Sequence, residues 1–440
     1  MSKFNTFFFI LINAIIFSTS AIESISLNKS IEKDYPALQE IYKHLHSNPE
    51  LSKHEVKTAQ FMAKKLRALG YEVTEKFGGE GIVAVLKNGD GPTLMLRADM
   101  DGLPVLEETN LDYASKIITQ NDDGRDVPVM HACGHDVHMT VLLGTAQQMV
   151  KLKDQWKGTL LLIGQPGEEI SWGAKTMLKK GLFTKFPIPD FNLAMHVAAD
   201  LPAGKIGYVE GYSMANVDSV DIIVKGKGGH GAYPHKTKDP IVIAAAIIMQ
   251  LQTIVSRELS PLDSAVVTIG SIHGGTKHNI ISNQVKLQLT VRSYADETRS
   301  YLLNRIKEIS EGVAHTAGMP DDLLPKVEVK AEHTPSVYNE PKYTKSITTN
   351  LKRTLGNENV VEVSPVMAGE DFGRYGRTKE KIPSTLLWLG AVDPNVYQRA
   401  KKEKQSLPSL HSAKFAPLPE LTISTGVKGM TESALMLLKK

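Results

Sequence analysis

The sequence predicts an α/β fold in two domains: a larger domain with a mostly parallel sheet, interrupted by an inserted ferredoxin-like α+β domain. Three observations predict it. Up to residue 215, helical stretches alternate with short, continuously apolar runs, the mark of strands covered by helices on both faces. From residue 216 the strands become half-exposed and alternating, in the order strand, helix, strand, strand, helix, strand. After residue 330 the first pattern returns. The expected boundaries are 30–215 and 331–440 for the two parts of the larger domain and 216–330 for the insert. A chain of 440 residues is long enough for two cores.

In order along the chain, residues 1–21 combine Lys3, an apolar run over 7–17 broken only by Asn13, and the exit Ser18-Thr19-Ser20-Ala21. That is the make-up of a secretory signal peptide cut near Ala21, and it predicts a periplasmic or secreted protein. An uncleaved anchor is the alternative, and no other segment is expected to span a membrane. Residues 35–69 read as helix, with Phe61, Met62, Leu66 and Leu69 on one face and Gly70 at the stop. Runs over 81–86, 93–97, 158–163 and 192–197 read as strands, and 136–150 as helix. In the insert, strands are expected over 217–224, 265–269, 284–291 and 326–329, with helices over 240–255 and 298–317. The last part adds helix 343–355, strand 384–389 and helix 419–438. Composition is ordinary for a globular protein, 42% hydrophobic and 22% charged, and a net charge of +3 is too small to argue for nucleic acid or an anionic membrane.

Residues able to do chemistry fall just after the apolar runs, where α/β sheets place their sites. The eight residues from His131 to His138 hold three histidines, a carboxylate and the only cysteine of the chain, Cys133. With no partner for an intramolecular disulfide, Cys133 is a core residue, a thiolate ligand or a nucleophile. Gly134 lets the backbone turn so that Cys133 and His135 converge, and the flanking histidines point to a metal. His131 and His138 stay open between ligand, ligand-orienting and pocket roles. Ligation or burial would also protect a thiol in an exported protein.

Gln165-Pro166-Gly167-Glu168-Glu169 follows the buried run over 158–163. Adjacent carboxylates at a strand end point apart, so one can bind metal while the other takes a proton from water. A solvated acidic turn is the competing reading. His196, at the end of its apolar run, and His411, in Leu410-His411-Ser412-Ala413-Lys414, become candidates beside these clusters. Alone, each would be a hydrogen-bonded structural histidine, as His46, His54, His315 and His333 are read here. The glycine-dense stretch 226–235 presents His230 and lacks the Gly-Lys-Ser/Thr of a phosphate loop. Asn279 and Arg292 are candidates to hold an oxyanion and a carboxylate.

Together these segments resemble the zinc- or manganese-dependent amidohydrolases that include aminoacylases, hippurate hydrolases and auxin-amino-acid conjugate hydrolases, the thiolate-bridged dinuclear branch of the M20 metallopeptidases. The matching stretches are Arg97-Ala98-Asp99-Met100-Asp101-Gly102-Leu103-Pro104, 131–138, 165–169, His196, 228–235, Ala368-Gly369-Glu370-Asp371-Phe372 and His411, in the family's order. The resemblance implies a catalytic α/β domain with two divalent metal ions per subunit and a smaller lid or dimerisation domain. Manganese or zinc is expected, with cobalt and nickel as alternatives.

By the same resemblance, Cys133 bridges the metals, His135 and His196 complete one site, and Glu169 and His411 the other. Glu168 is the general base, His230 stabilises the oxyanion, Asn279 and Arg292 touch substrate, and Asp101 orients the ligands from behind; Asp99 is not assigned as a ligand. The chain departs from the family pattern at Gly167, where alanine is common. It departs again in the expected loop after His196, where Ala198-Ala199 replaces an aromatic residue, which bears on acyl preference. The implied function is hydrolysis of the amide bond of an N-acyl amino acid. Its rivals are a dipeptidase or carboxypeptidase of the same chemistry, a non-catalytic exported metal- or peptide-binding protein, and redox sensing by Cys133. The expected partners are a small-molecule substrate and a second copy bound through the insert.

Overall fold

The computed structural model describes residues 26–439; the expected signal segment lies outside the described residues. Residues 26–47 form helix α1 and Val56–Ala68 form α2. A single helix over 35–69 was expected, and the break falls at Pro49, which has no amide hydrogen to continue the ladder. Strands β1 (Glu72–Thr74), β2 (Ile82–Asn88) and β3 (Thr93–Asp99) follow. Helix α3 (His135–Lys151) leads to β4 (Gly158–Gln165), β5 (Phe191–Pro202) and β6 (Ile206–Tyr208). Next come β7 (Asn216–Lys225), α4 (Pro240–Thr253), β8 (Ala265–Gly274), β9 (Gln284–Ser293), α5 (Asp296–Thr316) and β10 (Lys326–Thr334). The chain ends with α6 (Pro341–Leu355), β11 (Val360–Glu362), β12 (Ser384–Val392) and α7 (Pro419–Leu437).

The chain forms two compact units. The first holds residues up to Gly211, Tyr338–Ser364 and the segment from Arg374; the second holds Tyr212–Val337 and Pro365–Gly373. The division differs from the expected insert of 216–330. Thr334, at the end of β10, still pairs with Val217, and the strip from Pro365 is tied to the second unit by a Met214–Val366 bridge and by the Ala215 amide donating to the Ala368 carbonyl at 2.9 Å.

In the first unit an eight-stranded sheet runs β1-β2-β4-β3-β5-β12-β6-β11. The central pairs β4/β3, β3/β5 and β5/β12 are parallel, as is β6/β11; β1/β2, β2/β4 and β12/β6 are antiparallel. The sheet is therefore mixed, with parallel pairs in the majority as expected and antiparallel pairs toward its margins. Its parallel centre is the part with unbroken apolar runs: every residue of β3 is buried, as expected of strands covered on both faces.

The second unit is a four-stranded antiparallel sheet in the order β8-β9-β7-β10. With α4 and α5 it makes the βαββαβ unit expected from the sequence. Val220, Ile222 and Val224 of β7 share a core with Ile243, Ile247 and Leu251 of α4 and Leu302 and Ile306 of α5. Contrary to expectation, one further segment, Pro240–Glu258, is long and apolar enough to cross a membrane. Its inner face lies in this core, while Val242 and Met249 on the other face are 65% and 71% exposed.

Candidate metal centre

Each candidate ligand of the first unit is placed by a strand end or a helix start. Gly134 opens α3 in the left-handed region, at φ 75°. Only glycine fits there: a Cβ would lie 2.5 Å from Cγ2 of Val197. That turn carries Cys133 and His135 on either side of it. His196 projects from β5, which does not end there but continues to Pro202. The expected loop at Ala198-Ala199 is thus strand, because the run pairs with β12 through Gly390. His411 comes from the far end of the chain; its amide donates to the Ala132 carbonyl at 2.9 Å, and its own φ is +65°, a conformation rare outside glycine.

These elements bring five side chains together. Cys133 Sγ lies 3.6 Å from His196 Nε2 and 3.3 Å from His411 Nε2. His411 Nε2 lies 3.4 Å from one oxygen of Glu169, and His135 Nε2 lies 3.8 Å from the other. Glu168 is buried beside them, within 4.8 Å of His135 and Glu169 in ligand atoms.

Hydrogen bonds behind the ligands set their ring orientations. His196 Nδ1 donates to the Val197 carbonyl at 2.8 Å, which leaves Nε2 as the lone-pair nitrogen facing Cys133. Asp101 sits 3.3 Å from His135 Nδ1, at ion-pair distance though not aligned as a hydrogen bond, and accepts from the Glu169 amide at 3.0 Å and Ser52 Oγ at 2.6 Å. His138 is held at both nitrogens: Nε2 accepts from the Val197 amide at 2.8 Å and Nδ1 donates to Asp99 at 2.6 Å. The other oxygen of Asp99 accepts from Arg97 at 2.5 Å. Both nitrogens of His138 are thus taken, and each oxygen of Asp99 already accepts one hydrogen bond, although both residues stand near His135 and His196. His131 is buried with no hydrogen-bond partner on either ring nitrogen.

The electrostatics call for a cation. Burial, then the charges of Glu169, Glu168 and Asp99, push the Cys133 thiol well up, so a thiolate here needs positive charge beside it. Burial raises the Glu169 carboxyl to about 7. Burial alone would lower His135, but Asp99, Asp101 and Glu169 raise it to about 10. His135 Nε2 and one oxygen of Glu169 are buried without hydrogen-bond partners. Orphaned atoms of this kind in a mixed sulfur, nitrogen and oxygen set fit a borderline divalent metal.

The description of peptidase family M20/M25/M40 matches residues 95–413. The chain belongs to peptidase family M20. It is 38% identical over 350 residues to N-acetylcysteine deacetylase of Bacillus subtilis (strain 168), covering 79% of this chain and 86% of that protein. It is 36% identical over 382 residues to N-acetyldiaminopimelate deacetylase of Priestia megaterium (strain ATCC 12872 / QMB1551), covering 86% and 92%. Among solved structures, a dinuclear metal-binding peptidase of the M20 family, YXEP of Bacillus subtilis, is 30% identical with a TM-score of 0.75, covering 92% of this chain and 99% of that one. The protein is thus an M20 hydrolase with amidohydrolase activity, from a family that binds two metals.

The remaining candidates of this M20 hydrolase belong to its second unit. His230 lies on a two-residue strand paired with Ile280–Ile281, and the Gly231 amide donates to the Asn279 carbonyl at 2.8 Å. His230 and Asn279 are therefore neighbours on one exposed ribbon. Arg292, on β9, is half-buried and donates to the Met367 carbonyl at 2.6 Å and Thr290 Oγ1 at 3.3 Å.

Sequence reasoning missed one buried group in the first unit and the partners of another. Glu55 accepts from the Gly167 amide at 2.6 Å. His46, rightly read as a structural histidine, bonds Asp136 at 2.6 Å and Glu107 at 3.0 Å, directly behind α3. Nothing in the sequence marked Glu55, or joined His46 to Asp136 and Glu107 across 90 and 61 residues.

Proposed function

We propose that this M20 hydrolase cleaves the amide bond of N-acyl amino acids, giving the free amino acid and a carboxylic acid. The observation that carries the reading is the Cys133, His135, Glu169, His196 and His411 constellation with the Glu168 carboxylate beside it. Cys133 stands between the two groups of ligands: His135 and His196 would hold one metal, Glu169 and His411 the other, with the thiolate shared. Bound there, divalent metals acidify water and polarise a carbonyl. Glu168 accepts the proton of the attacking water and passes it to the departing nitrogen. Asp101 keeps His135 and Glu169 aimed. In the second unit, His230 and Asn279 are the candidates for the oxyanion and Arg292 for the substrate carboxylate.

Support for a small substrate comes from the relatives, whose names specify N-acetyl amino acids. A cleft of about 270 Å³ in the first unit reaches Glu169, lined on one side by Leu51, Leu103, Pro104 and Ile170 and on the other by Lys53, His54, Asn121, Asp122 and Asp123. A dipeptidase or carboxypeptidase would use the same ligands. Assay of the manganese- or zinc-loaded protein on N-acetyl, N-benzoyl and dipeptide substrates separates the readings: faster turnover of dipeptides than of acyl amino acids would overturn ours. Glu168→Gln should abolish turnover while leaving bound metal unchanged, and retained turnover would remove Glu168 as the base. Pairing of two copies through the second unit is part of the proposal, supported by the exposed Val242 and Met249 on α4. Val242→Asp should then sediment as monomer; an unchanged sedimentation coefficient would count against that surface.

A further inference from the structure

We infer that Glu55 is a positioning residue: by gripping the Gly167 amide it sets where Glu168 and Glu169 point. Glu55 lies immediately before α2, fully buried. Its segment is pinned to the end of β3 by the Gly102 amide, which donates to the Glu50 carbonyl at 2.7 Å, and by a parallel bridge between Leu51 and Gly102. From there one oxygen of Glu55 accepts from Gly167 N–H at 2.6 Å, across 112 residues of sequence. Its second oxygen has no hydrogen-bond partner. Burying a carboxyl with one oxygen left without a partner costs more than the bond to Gly167 returns in stability, so the contact needs another reason.

The geometry of the turn supplies it. Gly167 takes φ 57° between β4 and the Glu168-Glu169 pair. The turn then closes on itself, with the Ser171 amide donating to the Glu168 carbonyl at 2.7 Å and the Trp172 amide to the Gly167 carbonyl at 3.0 Å. Two carboxyl groups grip it from outside, Glu55 at Gly167 N–H and Asp101 at Glu169 N–H. The amide between them belongs to Glu168. Asp101 holds the peptide plane that follows Glu168, and the Trp172 amide on the Gly167 carbonyl holds the plane that precedes it. Glu55 anchors the plane one step earlier, from which the Gly167 turn starts, and the three together set the divergence of the two side chains. Burial, with the charge of Asp101, raises the Glu55 carboxyl to about 8. The gripping form is then the neutral acid, whose carbonyl oxygen accepts and whose shape glutamine copies.

The inference rests on the roles proposed above for Glu168 and Glu169, so its test has one arm that needs no turnover. Three variants are compared with the wild type: Glu55→Gln, which keeps the acceptor; Glu55→Met, which fills the space without one; and Glu55→Asp, which withdraws the acceptor by one methylene. Deuterium exchange of the peptide covering 165–171 should be faster by about tenfold in the Met and Asp variants and unchanged in the Gln variant. On an acyl amino acid that the wild type cleaves, kcat per metal-loaded molecule should fall by about tenfold or more in Met and Asp, with KM little changed, and return in Gln. A scaffold role alone would lower the melting temperature and leave kcat per loaded molecule intact. Wild-type exchange over 165–171 in the Met or Asp variant overturns the inference, and so does a Gln variant as loosened as Met. If the wild type cleaves no acyl amino acid, the functional reading fails while the exchange arm still decides this one.

Discussion

At the ring of His138, a single substitution should reach the metals without touching a ligand. The ring is clamped by Asp99 and the Val197 amide and stands edge-on to His196, with centroids 4.6 Å apart. His138→Ala should weaken metal affinity by about 10- to 100-fold, read by chelator competition, because orienting partners of ligands matter at that scale. An unchanged affinity would make the clamp structural. Cys133, buried and with its thiol pushed up, should resist alkylation in the metal-loaded protein and react only after chelation and unfolding. A thiol that titrates freely in the loaded protein would remove Cys133 from the ligand set. His46 carries a pH dependence. Burial would lower its pKa, but the bonds to Asp136 and Glu107 win and raise it from 6.5 to about 10. The folded state then holds that proton more tightly than the unfolded chain, so the contribution is complete below about pH 6.5 and fades as pH rises through about 10. His46→Gln should flatten the melting temperature across that window, and an unaltered slope would place the effect on other groups.

At the scale of elements, the start of α3 is the least tolerant point. Gly134→Ala combines left-handed strain with a clash on Val197, so a loss of about 2 kcal/mol or more is expected in chemical denaturation, together with poorer metal retention. A variant as stable as wild type would mean that β5 yields. The candidate clusters were legible because each is short and dense in metal-capable side chains, as in Cys133 with His135 and Glu168 with Glu169. Of the groups behind them, Asp101 came from the family resemblance, whereas the contacts of Glu55 with Gly167 and of His138 with Asp99 were not visible, since they form only after distant segments fold together. The antiparallel margins of the sheet were not legible for a related reason. Apolar runs report burial, whereas the antiparallel margins formed by β2 and β6 depend on where the connections travel. Pro49 was visible in the sequence, but its cost to the helix was overridden by the apolar spacing on either side.

At the scale of the whole molecule, the change of texture at residue 216 marked the second unit, because half-exposed strands alternate and covered ones do not. The return strip Pro365–Gly373 was invisible, since it belongs to that unit by pairing rather than by pattern. The split has a consequence for biosynthesis. All four strands of the second unit's main sheet are complete once Thr334 has been made. The first unit must wait, because β12 fills the place beside β5 and starts only at Ser384. Until then the nascent chain carries an open apolar strand edge, a hazard that chaperones exist to cover. A chain stopped after Gly373 should therefore yield a protease-resistant second unit and a digestible first one; equal resistance of both would contradict this order. Four of the five candidate ligands emerge before β12, and the last, His411, after it. Metal capture would then act as a late checkpoint, available only to a chain whose synthesis has passed both β12 and His411.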